Sequence, residues 1–291
     1  MSNESKGMWL GLVGVSVFGL TLPITRYVVA YLDPVFIGLG RAVVAALFAV
    51  VLLYLNKASL PSRKQFLQLI IVALGVVIGF PILSSWAMLS VPASHGGVVV
   101  GVLPLITAMV AAVISAERPS LGFWLSAVAG STLVVIYAWQ QGVAGLYQGD
   151  IALLGAVISA AVGYAVGGKL SQQLGGWRVI CWALLLSLPF ILVPVLLLLP
   201  SEATLIPTSV WLGFLYLALA SQLFGFFFWY KGLALGGIAR VSQVQLIQPF
   251  ITLLASVMLI GEVVDNITIL FAVLVVLMVA IGKQTVIRNK R

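Results

Sequence analysis

The chain has 291 residues, of which 62% are hydrophobic and only 8% are charged, and its mean hydropathy is +1.21. Because a soluble domain carries about 25% charged residues, this composition excludes a soluble globular protein and indicates an integral membrane protein. The net charge of +8 does not indicate nucleic-acid binding, because the basic residues lie in short loops and at the C-terminus, where they are typical of topology signals.

Apolar runs near 20 residues recur from end to end and predict an all-α membrane protein of ten transmembrane helices. This is the length that a helix needs to cross a bilayer, whereas a β-barrel would show alternating strands of about ten residues. The first run lacks a small-residue cleavage site and is therefore predicted to be retained rather than removed as a signal peptide. The predicted spans are 8–30, 34–55, 65–89, 94–115, 120–139, 149–170, 177–199, 207–231, 238–260 and 265–284.

The distribution of Lys and Arg predicts the orientation of the spans. If the N-terminus is cytoplasmic, every basic residue except Arg26 and Arg41 falls on the cytoplasmic side, while Glu202, Glu262 and Asp265 fall outside. The positive-inside rule counts basic residues in short loops, and this pattern is close to one-sided. Both termini are therefore predicted to be cytoplasmic, which requires an even number of spans.

Two segments of the chain resemble each other. PLITAMVAAVISAE aligns with PFITLLASVMLIGE, so that Pro104 falls on Pro249 and Glu117 falls on Glu262, with an offset of 145 residues in both cases. Pro and Glu are both rare in apolar helices, so their common register is more informative than the matching apolar residues. An offset of about half the chain indicates a duplicated unit.

The duplication divides the chain into two repeats of five spans each, 1–145 and 146–291. Five is an odd number, so the second repeat enters the membrane from the opposite side. The two units are therefore predicted to form an inverted repeat. In transporters, inverted repeats place the substrate site near the middle of the membrane, between the two halves.

The ninth span carries a polar stripe. Gln245, Gln248 and Thr252 follow i, i+3, i+7 spacing and therefore share one helix face. Polar groups inside a span are expensive and mark candidate functional positions. The corresponding positions of the fourth span are mostly apolar, so the repeat is symmetric in its scaffold and asymmetric in its chemistry. The stripe is predicted either to line a substrate cavity or to hydrogen-bond between helices.

Aromatic residues are frequent in the third and eighth spans, with others in the first and sixth. Trp86, Tyr164, Phe226 and Trp229 are candidates to pack against a substrate side chain in an apolar pocket. The alternative for such residues is contact with lipid or membership of an interfacial belt.

Five further residues are singled out within the spans or at their ends. Arg26 and Arg41 lie near the predicted outer side, and either is a candidate to attract a carboxylate, although Arg26 can also snorkel to the interface. His95, at the start of the fourth span, is a candidate substrate-binding group or an interfacial hydrogen-bonding group. Pro104 and Pro249 each remove a backbone N–H and are predicted to act either as gating hinges or as fixed bends.

Several chemistries lack the residues that they require. No Asp or Glu lies in the middle of a predicted span, so a carboxylate proton relay has no obvious carrier. There is no Walker-type phosphate loop, no cluster of metal-ligand residues and no motif of a hydrolase. The sequence therefore predicts that the protein is not an enzyme and has no cofactor and no metal site.

These features together resemble a known family. Two five-helix repeats, each with a Pro in the fourth span and a Glu thirteen positions later, are similar to the EamA-type branch of the drug/metabolite transporter superfamily. The segments WAMLSVPASH and KGLALGGIAR precede the two repeat motifs at the same offset, and FGLTLPITR resembles the start of the first repeat. Within the superfamily the chain resembles the bacterial YddG-type amino-acid exporters.

The resemblance implies ten helices and a central cavity formed by spans one, three, four, six, eight and nine. It also implies alternating access in a bacterial-type inner membrane, with cytoplasmic termini. Glu117 and Glu262 would be structural residues at helix ends. The resemblance places the polar stripe of the ninth span on a cavity helix, which favours its functional interpretation.

The leading functional prediction is a secondary exporter of amino acids, with neutral and aromatic ones favoured. Gln245 and Gln248 would bind the polar head of the substrate. Efflux of cationic drugs is the alternative, which the scarcity of acids in the spans disfavours. Two hypotheses come from other classes: a membrane enzyme that acts on a lipid-linked substrate, and a structural scaffold.

The predicted partners are a small-molecule substrate and the lipid bilayer, and the sequence does not fix the oligomeric state.

Overall fold

The computed structural model describes residues 2–114, 118–141, 148–284 and 287–288. Over these ranges the chain forms ten helical segments joined by short connections. Beside the helices, the described residues form one antiparallel pair, β1 (Arg118–Pro119) with β2 (Ile287–Arg288). The helical segments are α1 (Asn3–Val28), α2 (Pro34–Leu55), α3 (Arg63–Ala87), α4 (Ala93–Ile114), α5 (Leu121–Gln141), α6 (Gln148–Leu174), α7 (Gly176–Leu197), α8 (Thr208–Gly236), α9 (238–260) and α10 (Asn266–Gln284).

Among the described residues, seven helices are long enough and apolar enough to cross a membrane: α1 to α4 and α6 to α8. Shorter apolar helices run through 124–137, 244–260 and 266–278, within α5, α9 and α10. The predicted all-helical membrane fold is confirmed.

The first helix begins several residues before the predicted span. The helix begins at Asn3 rather than at residue 8, because Ser2 caps it and the Ser2 Oγ accepts a hydrogen bond from Ser5 N at 3.1 Å. Hydropathy locates the apolar part of a helix, whereas capping side chains decide where the helix begins.

A local sequence signal also explains where α2 begins. At α2, the Asp33 carboxylate accepts hydrogen bonds from Val35 N and Phe36 N, at 2.8 and 3.0 Å, and Pro34 occupies the first helical position. Proline suits that position because its missing N–H would have no partner inside the helix. The bounds of α2 accordingly agree with the prediction from the sequence.

Two helices contain a π-helical segment at corresponding positions of the two halves. The segments are Ala73–Gly79 in α3 and Tyr216–Phe224 in α8, and their last residues are separated by the same 145-residue offset as the repeat motifs. A side chain joins them, because Gln222 Nε2 donates a hydrogen bond to the Val76 carbonyl at 3.0 Å. Such segments disturb the regular hydrogen-bond ladder and occur frequently at functional sites.

The two repeat prolines lie beside interruptions of their helices. In α4, the turn at residues 101–102 separates Ala93–Val100 from Leu103–Ile114, and Pro104 lies in the first turn of the second part. In α9, residues 242–247 are 3₁₀-helical, and Pro249 lies at the start of the α-helical part that follows. In the first turn of a helix the missing N–H of proline sacrifices no regular hydrogen bond.

Helices α1 and α8 make an extensive contact that joins the first half of the chain to the second. Glycines make this approach possible: a Cβ atom on Gly7 would lie 2.7 Å from Gly236 N, and one on Gly232 would lie 2.9 Å from Gly11 N. Small residues at a helix interface allow two backbones to pack closely in a membrane.

Contacts between helix ends define two faces of the bundle. At the first, here called the Glu262 face, Arg26 Nη1 donates to the Met88 carbonyl, and the Tyr27 and Ser209 hydroxyls lie 2.7 Å apart. The second, here called the terminal face, carries the β1–β2 pair, in which Arg118 lies opposite Arg288 and Pro119 opposite Ile287.

Candidate substrate-binding site

Five buried aromatic residues from α1, α6 and α8 pack together and are here called the aromatic cluster: Phe18, Tyr164, Phe226, Trp229 and Tyr230. The Tyr164 ring centroid lies 6.2 Å from that of Phe18, 5.9 Å from Phe226 and 5.3 Å from Trp229. Phe226 in turn lies 5.3 Å from Tyr230. Ring pairs at these separations contribute free energy in addition to that of burying their apolar surface. The cluster is therefore a closely packed, largely apolar group inside the bundle.

The structure brings together three of the four aromatic residues that the sequence singles out. Tyr164, Phe226 and Trp229 belong to the aromatic cluster, whereas Trp86 lies near the end of α3 with its side chain 48% exposed and outside this cluster. Phe18 and Tyr230 complete the cluster and were not assigned to the site from the sequence. The signal that could have found them is the small-residue pattern that packs α1 against α8.

Arg41 lies inside the helix bundle, two turns into α2. Its side chain is 2% exposed, and neither Nε nor Nη1 has a hydrogen-bond partner among the described residues. The group that interacts with it electrostatically is the Tyr164 hydroxyl of the aromatic cluster. A guanidinium stays charged in proteins, and a buried charge without a partner is strongly unfavourable.

The polar stripe of α9 divides into bonded and unbonded side chains. Thr252 Oγ1 donates to the Gly19 carbonyl at 2.8 Å, and Ser256 Oγ donates to the Thr252 carbonyl at 2.8 Å. Gln245 is 1% exposed and Gln248 is 6% exposed, and among the described residues Gln245 Nε2, Gln245 Oε1 and Gln248 Oε1 have no hydrogen-bond partner. Thr252 therefore attaches α9 to α1, whereas the two glutamine side chains keep unused hydrogen-bonding capacity.

Other buried polar atoms of the bundle also lack partners among the described residues. More than nine in ten buried polar groups of folded proteins normally have one, so each exception requires an explanation. Buried polar atoms without a partner are candidates for hydrogen bonds to a polar ligand. In α1, α3 and α8 these atoms are Thr25 Oγ1, Ser85 Oγ, Gln222 Oε1 and Trp229 Nε1.

A second group of polar residues lies at the Glu262 face. His95 Nε2 and Asp150 Oδ1 are 2.7 Å apart and both side chains are buried, so α4 of the first half is bound to α6 of the second. The His95 ring also stacks on Tyr137, with centroids 4.7 Å apart. The structure therefore places His95 away from the aromatic cluster, in a contact with Asp150 that the sequence did not indicate.

Glu262 joins the same region. Gly261 adopts a left-handed conformation, with φ of 67°, which ends α9 and turns the chain. The Glu262 carboxylate then accepts hydrogen bonds from Ala93 N at 2.7 Å and Ser94 N at 2.9 Å. N–H groups in the first turn have no partner within their own helix, and they lie at the positive end of the α4 dipole, where a carboxylate is stabilising. Its repeat counterpart, Glu117, lies outside the described residues.

A cavity of about 300 Å³ opens beside these residues at the Glu262 face. Tyr137 OH and Thr268 Oγ1 lie 3.0 Å apart at its wall, and Thr268 N donates to Asp265 Oδ1 at 2.7 Å. Among the described residues, no group of three or more His, Cys, Asp or Glu is arranged to hold a metal ion. The cavity lining is here called the Glu262-face cluster and consists of Pro92, Ser94, His95, Tyr137, Glu262, Val263, Asp265 and Thr268, with Asp150 bound to His95.

Apolar helices that enclose unpaired polar groups are characteristic of a multi-pass membrane transporter, and comparison with known proteins agrees. A model of the EamA-like transporter family matches residues 5–138 and again residues 147–281. The chain therefore belongs to the EamA-like transporter family, and each half carries one copy of its unit.

Two relatives come from Bacillus subtilis (strain 168). The chain is 39% identical to the protein named Uncharacterized transporter YdeK over 283 residues, which cover 97% of this chain and 99% of the relative. It is 22% identical to Uncharacterized transporter YyaM over 280 residues, which cover 93% of this chain and 91% of the relative. Both names point to a transporter and neither gives a substrate.

A solved crystal structure has the same fold. It superposes with a TM-score of 0.70 over 97% of this chain and 99% of the other, at 16% sequence identity. At this identity the likeness concerns the fold and carries no information about the transported molecule.

Proposed function

We propose that the protein is a secondary exporter of amino acids, with neutral and aromatic ones favoured. The observation that carries the proposal is the presence on α9 of two buried glutamines whose amides keep atoms without a partner within the described part of the chain, in a bundle that also contains the aromatic cluster. Transport proceeds by alternating access in a bacterial-type inner membrane, with both termini in the cytoplasm.

The chemistry of the substrate follows from these side chains. An amide both donates and accepts hydrogen bonds, so Gln245 and Gln248 suit a head group that carries an amine and a carboxylate. The aromatic cluster offers a large apolar surface for a side chain. A solute that is polar at one end and apolar at the other satisfies both, as a neutral or aromatic amino acid does.

The proposed movement uses the contacts between the halves 1–145 and 146–291. The hydrogen bond of Gln222 to Val76 and the pair of His95 with Asp150 both cross from one half to the other. Alternating access requires cross-half contacts that break at one face while others form at the opposite face. Pro104 and Pro249, which lie beside helix interruptions, are the proposed hinges. The resemblance to YddG-type exporters supports the same mechanism.

Flux measurements test the substrate assignment. Purified protein in liposomes is assayed with a panel of labelled amino acids, with and without a pH gradient, and we expect flux of at least one neutral or aromatic amino acid above that of empty liposomes. Absence of flux for every amino acid in the panel would contradict the proposal. The pH gradient decides between proton coupling and uniport.

Substitution of the two glutamines tests the site. We expect Gln245→Ala and Gln248→Ala each to lower flux while the protein remains folded. Gln173→Ala is the matched control, because this glutamine is exposed and its Oε1 accepts a hydrogen bond from Gln65 Nε2 at 3.3 Å. If both α9 variants transport like the control, the glutamines only hold helices together.

Labelling tests the orientation. Val263 is an exposed residue of the Glu262 face, and a Val263→Cys variant in a Cys181→Ser background carries one reactive thiol. We expect an impermeant maleimide to label this thiol from outside intact cells. Labelling only after the membrane is permeabilised would reverse the proposed topology.

One observation favours a second candidate function, efflux of lipophilic cations. A cavity of about 620 Å³ lies at the surface between α1 and α9, and its lining combines apolar residues with Glu4, Ser5 and Trp9. A carboxylate and an indole ring both attract a cation. Flux of a lipophilic cationic dye that Glu4→Gln abolishes, with no flux of amino acids, would favour this candidate over amino-acid export.

A further inference from the structure

Arg41 and Arg26 differ in their partners. The sequence places both near one side of the membrane, and the structure gives Arg26 a hydrogen bond to the Met88 carbonyl. Arg41 is more deeply buried, and its Nε and Nη1 have no partner among the described residues. Membrane proteins rarely bury a charge except where it has a function, so Arg41 requires an explanation that Arg26 does not.

The described part of the chain offers Arg41 no counter-charge. Apart from Arg41, the buried residues among the described Asp, Glu, His, Lys and Arg are Asp150 and His95, and these two are hydrogen-bonded to each other. The titratable group that interacts electrostatically with Arg41 is the Tyr164 phenol. A phenol carries no charge at neutral pH, so it does not neutralise the guanidinium.

We propose that Arg41 binds the carboxylate of the transported solute. The proposal rests on the function proposed above and names the charged group that a substrate must carry. An anion that arrives at Arg41 removes the unfavourable free energy of the isolated charge, and that gain favours the solutes that bring one. Tyr164 interacts electrostatically with Arg41 and belongs to the aromatic cluster, so in this proposal a carboxylate held at Arg41 directs the rest of the solute towards the aromatic rings.

The geometry of a guanidinium favours a carboxylate over other anions. Its planar N–H donors match the two oxygens of a carboxylate in a bidentate pair, and such charge-assisted bonds are about twice as strong as neutral ones. The single negative charge of a carboxylate neutralises the single positive charge of the Arg41 guanidinium. A phosphate monoester carries a charge of about −1.5 to −2 at neutral pH and would leave part of that charge uncompensated beside a single arginine.

Competition between matched ligands tests the proposal. Purified protein in nanodiscs binds labelled L-phenylalanine, and unlabelled competitors are then added. One competitor, 3-phenylpropionate, keeps the carboxylate and lacks the amine, and a second, L-phenylalaninamide, lacks the carboxylate. Benzylphosphonate, which replaces the carboxylate by a phosphonate, is the third. We expect 3-phenylpropionate to compete with L-phenylalanine and the amide not to compete. Equal competition by the amide would overturn the proposal, and stronger competition by benzylphosphonate would overturn the choice of a carboxylate.

Variants of the two arginines connect this preference to Arg41. We expect Arg41→Gln to weaken binding of 3-phenylpropionate about 30-fold or more, the range for removal of one partner of a buried charged pair. Arg41→Lys keeps the charge but loses the planar pair of N–H donors, and it is expected to weaken binding of 3-phenylpropionate less than Arg41→Gln does. Arg26→Gln is the matched control and is expected to keep the preference for carboxylates. A carboxylate preference that survives in Arg41→Gln would overturn the proposal.

Thermal unfolding gives a readout that does not depend on transport. Without ligand, we expect Arg41→Met to unfold at the same temperature as the wild type or a higher one, because it removes an unpaired buried charge. A large decrease would mean that Arg41 has a structural partner and would overturn the proposal.

Thermal unfolding in the presence of a ligand also separates failure of this proposal from failure of amino-acid export. If wild-type protein neither binds nor transports any amino acid, the export proposal fails. The effect of 3-phenylpropionate on the unfolding temperature then decides the role of Arg41. Stabilisation of the wild type without stabilisation of Arg41→Gln supports a carboxylate site, and equal or absent stabilisation of both overturns it.

Discussion

The Glu262-face cluster and the interior of the bundle both contain polar side chains, and they differ in how these are paired. At the Glu262 face, His95 is bound to Asp150, Glu262 to Ala93 N and Ser94 N, and Tyr137 to Thr268. In the interior, Arg41, Gln245, Gln248 and Trp229 each have polar atoms without a partner among the described residues. Paired groups stabilise one arrangement of helices, whereas unpaired groups lower stability until a ligand binds them.

The comparison predicts opposite effects of substitution in the two regions. Changes at the Glu262 face should lower the free energy of unfolding, and changes in the interior should lower transport with little loss of stability. This difference extends the asymmetry of the repeats, because Glu262 belongs to the motif shared by both halves while Gln245 and Gln248 do not.

The largest loss of stability is expected for Asp150→Ala. It leaves the buried His95 without its partner 2.7 Å away, and a buried polar group left without its partner costs about 1–3 kcal/mol, more when the group is charged. Unfolding in a denaturing detergent measures the free energy. Glu202→Ala is the control, because this residue is exposed and substitutions at such positions usually change stability by less than about 0.5 kcal/mol. An equal effect of both substitutions would remove the distinction between the two regions.

Removal of the cap on α4 should have a smaller effect. Glu262→Ala leaves Ala93 N and Ser94 N without the acceptors now at 2.7 and 2.9 Å, and loss of a capping side chain costs about 0.5–2 kcal/mol. Glu262→Gln keeps one acceptor and should cost less. Hydrogen exchange at the start of α4 reports this loss directly, and unchanged protection in Glu262→Ala would show that the cap does not hold α4.

The hydrogen bond between the π-helical segments should contribute less again. Gln222→Leu removes the bond from Nε2 to the Val76 carbonyl, and the net contribution of such a bond is about 1 kcal/mol. The Gln222 Oε1 has no partner in the described part of the structure, so its removal offsets part of the loss. We expect a small decrease of stability together with a changed rate of transport. A rate equal to that of the wild type would exclude a role of this contact in the movement of the halves.

The smallest change of stability is expected for Gln245→Leu. It replaces a buried amide, which has no partner among the residues that the structure describes, by an apolar side chain of similar size, and such a change is nearly neutral or stabilising when no bond is lost. Flux of the transported amino acid should nevertheless fall. A loss of stability as large as that of Asp150→Ala would show that Gln245 has a structural role, and the contrast between the two regions would disappear.

Much of the fold followed from the sequence because the bilayer restricts what an apolar chain can form. In lipid the backbone must satisfy its own hydrogen bonds, so long apolar runs become helices, and the ten predicted spans correspond to the ten helical segments. The π-helical segments of α3 and α8 were not predicted. They depend on contacts such as that of Gln222 with Val76, 146 residues apart, and hydropathy carries no information about such contacts.

The candidate site was predictable in kind but not in detail. Periodicity placed Gln245, Gln248 and Thr252 on one face of α9, and the structure buries all three. It could not tell that Thr252 is bonded to Gly19 while the glutamines are not. A helix face is a local property, whereas a hydrogen-bond partner is supplied by another helix.

The sequence by itself determined that this protein is a ten-helix membrane protein with a duplicated unit, because length, hydropathy and the repeated Pro and Glu are properties of the linear chain. Only the tertiary structure decided which arginine is paired, which aromatic rings meet and what Glu262 caps. Arg26 and Arg41 looked equivalent along the chain, and the Met88 carbonyl distinguishes them in space. The pairing of a buried polar group depends on what neighbouring helices place beside it, and that is settled when the helices pack together.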